Sequence, residues 1–464
     1  MRIGSQPCCT TIECYHNQFD MRLAWFSPFP PVKTGISAVS AELVATLRGR
    51  GYAIDSYPTE RAHDFAWTHQ QRPYDLVVYQ FGNSSHHDYE WAYALRYPGL
   101  VVLHDTRLHH ARAAFLLREK RAADYRAEFC WNHPDVSRDA AELGVAGFDS
   151  QLYYQWPMTR ALIASARLTA VHSSQPPPST LHPQVVSIRL GHGELVAPER
   201  RERARREIRA KYGIAEEAVV FVCAGGITPE KRIPQVLAAF TDTLRHAPEA
   251  RLMLVGGAAA HYDVQGDIAA HGLGDRVIVA GYVESDAELT DHLAAADVSL
   301  NLRWPTAGEI SGPWLRALAA GVATVTTDLA HLGHTPSLDP RTWRAREVGG
   351  WRLEAGKGIS QLPTSNLHPP ICVAIDILDE DHSLRLAMRR LATDADLRER
   401  LGRAGQVYWL AEHTPDAMAD DYERVIAAAA DRPPPVVDLP PHMRGTGDGT
   451  LHRLLAPFGL GEPF

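Results

Sequence analysis

Four short segments of the 464-residue chain hold the residues best suited to chemistry. In the first, SPFPPVKTGIS (27–37), turn formers lead to Gly35 and then into helix-like sequence. A glycine there lets backbone approach a ligand, and the helix start behind it favours a negative group; the same pattern also serves as a plain turn. The second is Leu103-His104-Asp105, ending an apolar run. A His-Asp pair at a strand end either handles a hydroxyl and its proton or is a satisfied structural pair. His109 and His110 add imidazoles nearby in sequence. The third, CAGGITPEKRIPQVLAAF (223–240), runs through a Gly-Gly turn to Lys231-Arg232 and a helix starting near Pro234. Two cations beside free helix N–H groups suit a phosphate, unless they simply face solvent. The chain has only five lysines among 47 basic residues, which makes Lys231 less ordinary. The fourth, LRWPTAGEISGPWLRALAAG (302–321), brackets Glu309 with glycines and starts a helix near Pro313. The amides of Ser311 and Gly312 would face a phosphate at that helix start. The Glu309 carboxylate would accept bonds from sugar hydroxyls or be a plain helix-start charge.

The elements around these segments must bring them to one place. Apolar runs at Met21–Phe26, Asp75–Gln80, Leu100–His104, Leu168–Ser173 and Val185–Leu190 read as buried strands, with a helix over 38–50. A second series follows at Val219–Ala224, Arg251–Val255, Val277–Ala280, Val298–Leu302 and Thr324–Thr327. Strands alternating with helices predict α/β architecture with parallel sheets, in two halves meeting near residue 195. Each of the four segments follows such a strand, where open parallel sheets bind ligands. Residues 107–165 break the pattern with long, aromatic-bearing helical sequence and read as an insertion into the first half. The charged stretch 195–213 reads as a solvated helix or linker. Residues 1–20 are polar and aperiodic and are expected to be a disordered extension; residues 431–464 form a Pro/Gly-rich tail expected to be irregular.

Composition narrows the function classes. With 45% hydrophobic and 22% charged residues the chain is an ordinary folded protein. A formal charge of −8 gives no bulk attraction for nucleic acid. Six cysteines, at 8, 9, 14, 130, 223 and 372, form neither paired C-x-x-C motifs nor a disulfide framework, and Cys223 and Cys372 sit in apolar runs as core residues. The absence of a G-x-G-x-x-G turn argues against a nicotinamide dehydrogenase. No apolar run of about 18 residues occurs, so the expected location is the cytoplasm, with peripheral attachment to the inner face of a membrane left open.

The order of motifs carries a resemblance. Lys231-Arg232 after CAGGITPE, then VIVAGYV, AADVSLNLR, GEISGPWLRALAAG and a strand ending TTD resemble the C-terminal half of family-4 glycosyltransferases. SPFPPVKTGIS and VVLHD are similar to that family's first domain, so the resemblance covers about 21–430. It implies a GT-B fold: two Rossmann-like α/β domains facing each other across a cleft. The acceptor-side domain would span 21–195 with its insertion at about 107–165. The nucleotide-sugar domain would span 196–412, and a helix at 413–430 would pack back on the first domain. It implies a nucleotide-sugar donor, a glycan, lipid-linked glycan or small-molecule acceptor, retention at the anomeric carbon, and no cofactor or metal. Asp286-Ala287-Glu288 lacks the context of a metal-binding D-x-D loop.

By this resemblance Lys231 neutralises the donor diphosphate, with Arg232, Gly35, Ser311 and Gly312 beside it. Glu309, the first Glu of an E-x7-E motif, contacts the donor sugar, and His104 meets the sugar or acceptor. Asp105 and His109 are candidates for acceptor or sugar contacts. The chain departs from the pattern at two places. The second Glu, which holds the ribose, falls on Ala317, and the Arg that usually precedes the phosphate Lys falls on Gly226. Two other functions stay open: a GT-B-fold nucleotide-sugar epimerase, and a catalytically silent subunit of glycan biosynthesis.

Overall fold

The structure, a computed structural model, describes residues 21–148, 152–172, 185–346, 351–354, 358–361, 369–444 and 457. The first domain is built on β1 (Arg22–Phe26), β2 (Ala53–Tyr57), β3 (Leu76–Phe81), β4 (Leu100–Leu103), β5 (Leu168–Val171) and β6 (Val185–Ser187). All pair in parallel, in the order β2-β1-β3-β4-β5-β6. Strands β3, β4 and β5 are buried along their whole length, which is why they read as unbroken apolar runs. Edge strand β2 alternates exposed and buried positions, and that weaker signal escapes a search for apolar runs.

Helices α1 (Gly35–Gly49), α2 (Asp64–Gln71) and α3 (Glu90–Ala94) belong to the crossovers. Between β4 and β5 the regular elements among the described residues are helices: α4 (His109–Arg118), α5 (Ala122–Asn132), α6 (Asp139–Val145), α7 (Leu152–Gln155) and α8 (Arg160–Ser165). Leu116, Tyr125, Phe129 and Met158 give this insertion a small core of its own.

The second domain carries β7 (Val220–Ala224), β8 (Arg251–Val255), β9 (Val277–Gly281), β10 (Val298–Asn301), β11 (Ala323–Thr327), β12 (Ser337–Leu338) and β15 (Cys372–Ile375), in the parallel order β12-β15-β11-β10-β7-β8-β9. A small antiparallel hairpin, β13 (Trp351–Glu354) with β14 (Gly358–Gln361), stands apart from it. The domain's helices are α9 (Pro198–Lys211), α10 (Ile233–Thr243), α11 (Val264–Ala270), α12 (Asp286–Ala294), α13 (Gly312–Ala319), α14 (Glu380–Thr393) and α15 (Ala395–Glu412). Cys223 and Cys372 are buried in its sheet.

The chain then returns to the first domain through α16 (Pro415–Ala430) and the short α17 (Pro441–Arg444). Tyr422 on α16 stacks on Trp25 at 5.7 Å and donates to Gln80 Oε1 at 3.0 Å. Asp421 accepts from the backbone N–H of Arg189 at 2.8 Å and from its guanidinium at 2.9 and 3.0 Å. One apolar cluster runs from Leu23 and Val78 through Met418 and Tyr422 to Trp314 and Leu318, so the two domains share a core along one side.

Helix α9 is the expected charged helix, with only Ala204, Ile208 and Arg209 buried. It is not a free charged linker: Arg209 is buried, donates to the carbonyls of Ala215, Glu216 and Ala218, and pairs with Asp297 at 2.8 Å. The described part of the tail is irregular over 431–440, as expected, apart from the short α17, and it is docked, with Leu439 and Met443 buried against the first domain. The extension at 1–20 lies outside the described residues. Among the described residues no helix is long and apolar enough to cross a membrane.

Candidate active site

Strand order reverses between β1 and β3 in the first sheet and between β7 and β10 in the second. Loops that leave neighbouring strands in opposite directions open a crevice at such points. The loops after these strands face one another around a cavity of about 360 Å³ lined by both domains.

The second domain contributes the charged wall. After β7 the chain turns through Gly225 at φ +91°, and a Cβ there would sit 2.4 Å from Lys231 Nζ. Only glycine leaves the room in which Lys231 lies, donating to the Ala224 carbonyl. Burial, together with the nearby Arg303 guanidinium, brings the Lys231 ammonium down to about 8. After β10 come Arg303 and Glu309, which form an ion pair, while Thr306 donates to the second Glu309 oxygen at 2.9 Å. Burial pulls the Glu309 carboxyl upward most strongly, but Arg303 together with the hydrogen bonds from Thr306 and from a backbone N–H holds the group below the usual range. Ser311 then caps α13, its hydroxyl accepting from the Trp314 N–H at 3.3 Å. The helix thus presents its positive end, with Ser311 and Gly312, to the cavity.

The first domain contributes the opposite wall: Thr34 and Gly35 at the start of α1, Ser84 after β3, and His104-Asp105 after β4. Thr34 caps α1 by accepting from the Ser37 N–H at 3.1 Å. A Cβ on Gly35 would meet nothing within 4 Å, so the backbone there faces open space. His104 Nε2 donates to Gln80 Oε1 at 2.7 Å, and burial holds the ring well below its ordinary pKa, hence neutral at pH 7. Asp105 accepts from the Asn83 N–H at 2.5 Å. Burial and the Glu309 charge raise its carboxyl to about 7. Beside it the domains touch: the Thr106 and Arg107 N–H groups both donate to the Ala307 carbonyl, at 2.9 and 3.1 Å. Gly308 next to that contact has φ +83°, and a Cβ would lie 2.1 Å from Thr106 Oγ1.

The cavity thus gathers Gly35, His104, Asp105, Lys231, Glu309, Ser311 and Gly312. Two residues singled out in the sequence lie elsewhere. Arg232 is turned away from the cavity: its guanidinium forms a two-pronged pair with Glu380, one arm at 2.7 Å, on the α14 side. His109 is fully buried in the helical insertion, bonded to the Tyr125 hydroxyl at 2.9 Å and packed edge-on to Tyr153. Burial lowers it to about 3, so it is a neutral core residue. The second cation of the charged wall is Arg303, which the sequence reading did not pick out. The signal was its position: it leaves β10, the partner of β7 at the reversal point. Ala317 is 0% exposed among Val222, Leu293 and Val322.

Residues 218–337 match the family described as Glycosyl transferases group 1. No curated protein matches the chain. Among solved structures, sucrose-phosphate synthase from Thermosynechococcus elongatus superposes with a TM-score of 0.59 at 15% identity, covering 88% of this chain and 100% of that one. The catalytic domain of starch synthase IV from Arabidopsis thaliana, bound to ADP and acarbose, gives 0.58 at 12% identity, covering 89% and 99%. Anabaena Alr3699/HepE in complex with UDP and glucose gives 0.56 at 12%, covering 88% and 100%. The chain has the GT-B fold of glycosyltransferases, and the segment that builds the charged wall of its cleft is similar to the group 1 glycosyltransferases.

Proposed function

We propose that the protein is a retaining glycosyltransferase that moves a sugar from a nucleoside-diphosphate donor to an acceptor hydroxyl. The observation that carries this is the wall made by Lys231, Arg303 and the start of α13, set against Glu309 and facing His104 and Asp105 across the cleft. A leaving diphosphate needs its developing charge met by groups already in place. Two cations and the helix amides at Ser311 and Gly312 meet it without a metal, and Gly35 lets backbone approach from the other side. Glu309 is tied by Arg303 and Thr306, which suits it to accept bonds from sugar hydroxyls rather than to attack carbon. Without an enzymic nucleophile, retention follows if the acceptor enters on the leaving-group face and its proton passes to the departing phosphate. His104, neutral and held by Gln80, would bond a hydroxyl of sugar or acceptor. Asp105, its carboxyl raised by burial and by the Glu309 charge, can accept a hydrogen bond from the acceptor hydroxyl and orient it while that proton passes to the phosphate.

The chain should be stabilised by a specific nucleoside diphosphate and its sugar in a melting screen, since ligand bound only to the folded state raises stability by about 2.7 kcal/mol at a hundredfold excess over Kd. The anomeric coupling constant of the product, read by NMR, then tests retention. No stabilisation by any nucleoside diphosphate, or an inverted product, refutes the proposal. A nucleotide-sugar epimerase would convert the donor with no acceptor present.

A further inference from the structure

A second cavity, about 550 Å³, opens on the first domain at the carboxyl ends of β2, β3 and β4. Its wall includes Thr59 after β2, Ser85 and Asp88 after β3, residues of α3 and α4, and His442 and Met443 of α17. The C-terminal segment is pinned there by the Trp131 indole, which donates to the Asp438 carbonyl at 2.8 Å. Four arginines line this cavity, Arg96, Arg112, Arg118 and Arg121, against one carboxylate, Asp88. The aromatic rings of Trp91 and Phe115 form an apolar side.

The arginines are not equivalent. Arg112 is scaffold: it is buried, forms a two-pronged pair with Glu128 at 2.7 and 2.6 Å, and lies 4.5 Å over Trp91. Arg118 and Arg121 are open, with side chains 59% and 37% exposed. Each donates through Nε to a neighbouring acid, Glu119 at 3.2 Å and Asp124 at 2.7 Å. Glu119, Asp124 and Glu128 are not part of the cavity wall. The terminal nitrogens of Arg121 make no hydrogen bond among the described residues, and those of Arg118 come no closer than 3.7 Å to Asp88. Burial raises Asp88 to about 6, so it stays mostly ionised at pH 7, the one carboxylate of the wall against its arginines. Planar guanidinium forks with unfilled donors match the oxygens of phosphate and carboxylate.

The cavity adjoins the cleft. Ser84 lines the cleft and Ser85 lines this cavity. The loop that carries both is fixed at its start by Asn83, whose N–H reaches Asp105 and whose side-chain oxygen accepts from the Ala111 N–H at 2.9 Å. An acceptor with its reacting hydroxyl at Asp105 can therefore extend over this loop. We propose that the arginine-lined cavity is an acceptor subsite that binds an acidic group, phosphate or carboxylate, carried by the acceptor. This rests on the transferase reading above, which places the acceptor in the first domain.

The test uses the full chain with glucose 6-phosphate, glucuronate and glucose as probes, titrated calorimetrically, and with UDP as a separate probe of the charged wall. At least one acidic probe should bind about tenfold or more tightly than glucose. Preference for the phosphate or for the carboxylate identifies which acid the acceptor bears. The double variant Arg118→Gln, Arg121→Gln, at exposed positions, should lose that preference and keep UDP affinity. Equal binding of all three probes, no binding of any, or a preference that survives the double variant overturns the subsite. Failure of UDP to bind while the acid preference and its loss persist would fault the donor reading and leave this one standing.

Discussion

Replacing Arg303 by methionine keeps an apolar stem of similar reach and removes the charge. Three consequences follow from the geometry. A charged contact to the donor diphosphate is lost, which costs about 1.5–3 kcal/mol, or roughly ten- to a hundredfold in affinity. The Glu309 carboxyl loses the partner that opposed its burial, so it rises and turnover falls. Lys231 loses a cation that, after burial, is the next influence holding it near 8. That last effect has a signature in pH. A diphosphate binds the protonated ammonium, so the Lys231 contribution to affinity is present below about 8 and is lost as pH rises above it. In Arg303→Met the break moves to higher pH. Calorimetric titration of UDP from about pH 6 to 9.5, with UMP as a control lacking the second phosphate, reads both effects. If Arg303 were only a tether for Glu309, turnover would drop while UDP affinity and the break near 8 stayed put, and the assignment of the charged wall would fall.

The other expectations can be checked alongside. Glu309→Gln should lower kcat by more than it changes donor KM, because the carboxylate is assigned to the reacting sugar rather than to the nucleotide; an effect confined to KM would contradict this. Asp421→Asn removes the charge that ties α16 to Arg189 and should cost about 2 kcal/mol, seen as a Tm lower by a few degrees. Arg189 holds the Asp421 carboxyl below its usual range despite burial, so this stabilisation is complete above about pH 3.9 and fades below it, where parent and variant should converge. Ala317→Glu should lower both Tm and donor affinity, because position 317 lies in an apolar cluster with no partner for a carboxylate; a clear gain in donor affinity would restore the family's ribose contact.

The central strands were legible in the sequence because burial on both faces demands unbroken apolar runs, and β8 is read to the residue. So were the loops that follow them, since glycine, proline and helix-start residues are local requirements. Gly225 and the start of α13 follow from neighbours a few positions away. Edge strand β2 and the short β15 were less visible because one is half solvated and the other stands alone after a segment without periodicity. What chain order cannot show is which side chain from distant loops meets which. Lys231 and Arg232 are adjacent in sequence and equally basic, yet one enters the cleft and the other is taken by Glu380 from α14. Arg303 and Lys231 are far apart in the chain and share a wall because β7 and β10 are neighbours at the point where strand order reverses. His109 looked like an extension of the His104-Asp105 pair, and the packing of the insertion withdrew it against Tyr125. Residue type and local spacing determine which groups can do chemistry; strand order and the packing of remote helices decide which of them face the same empty space.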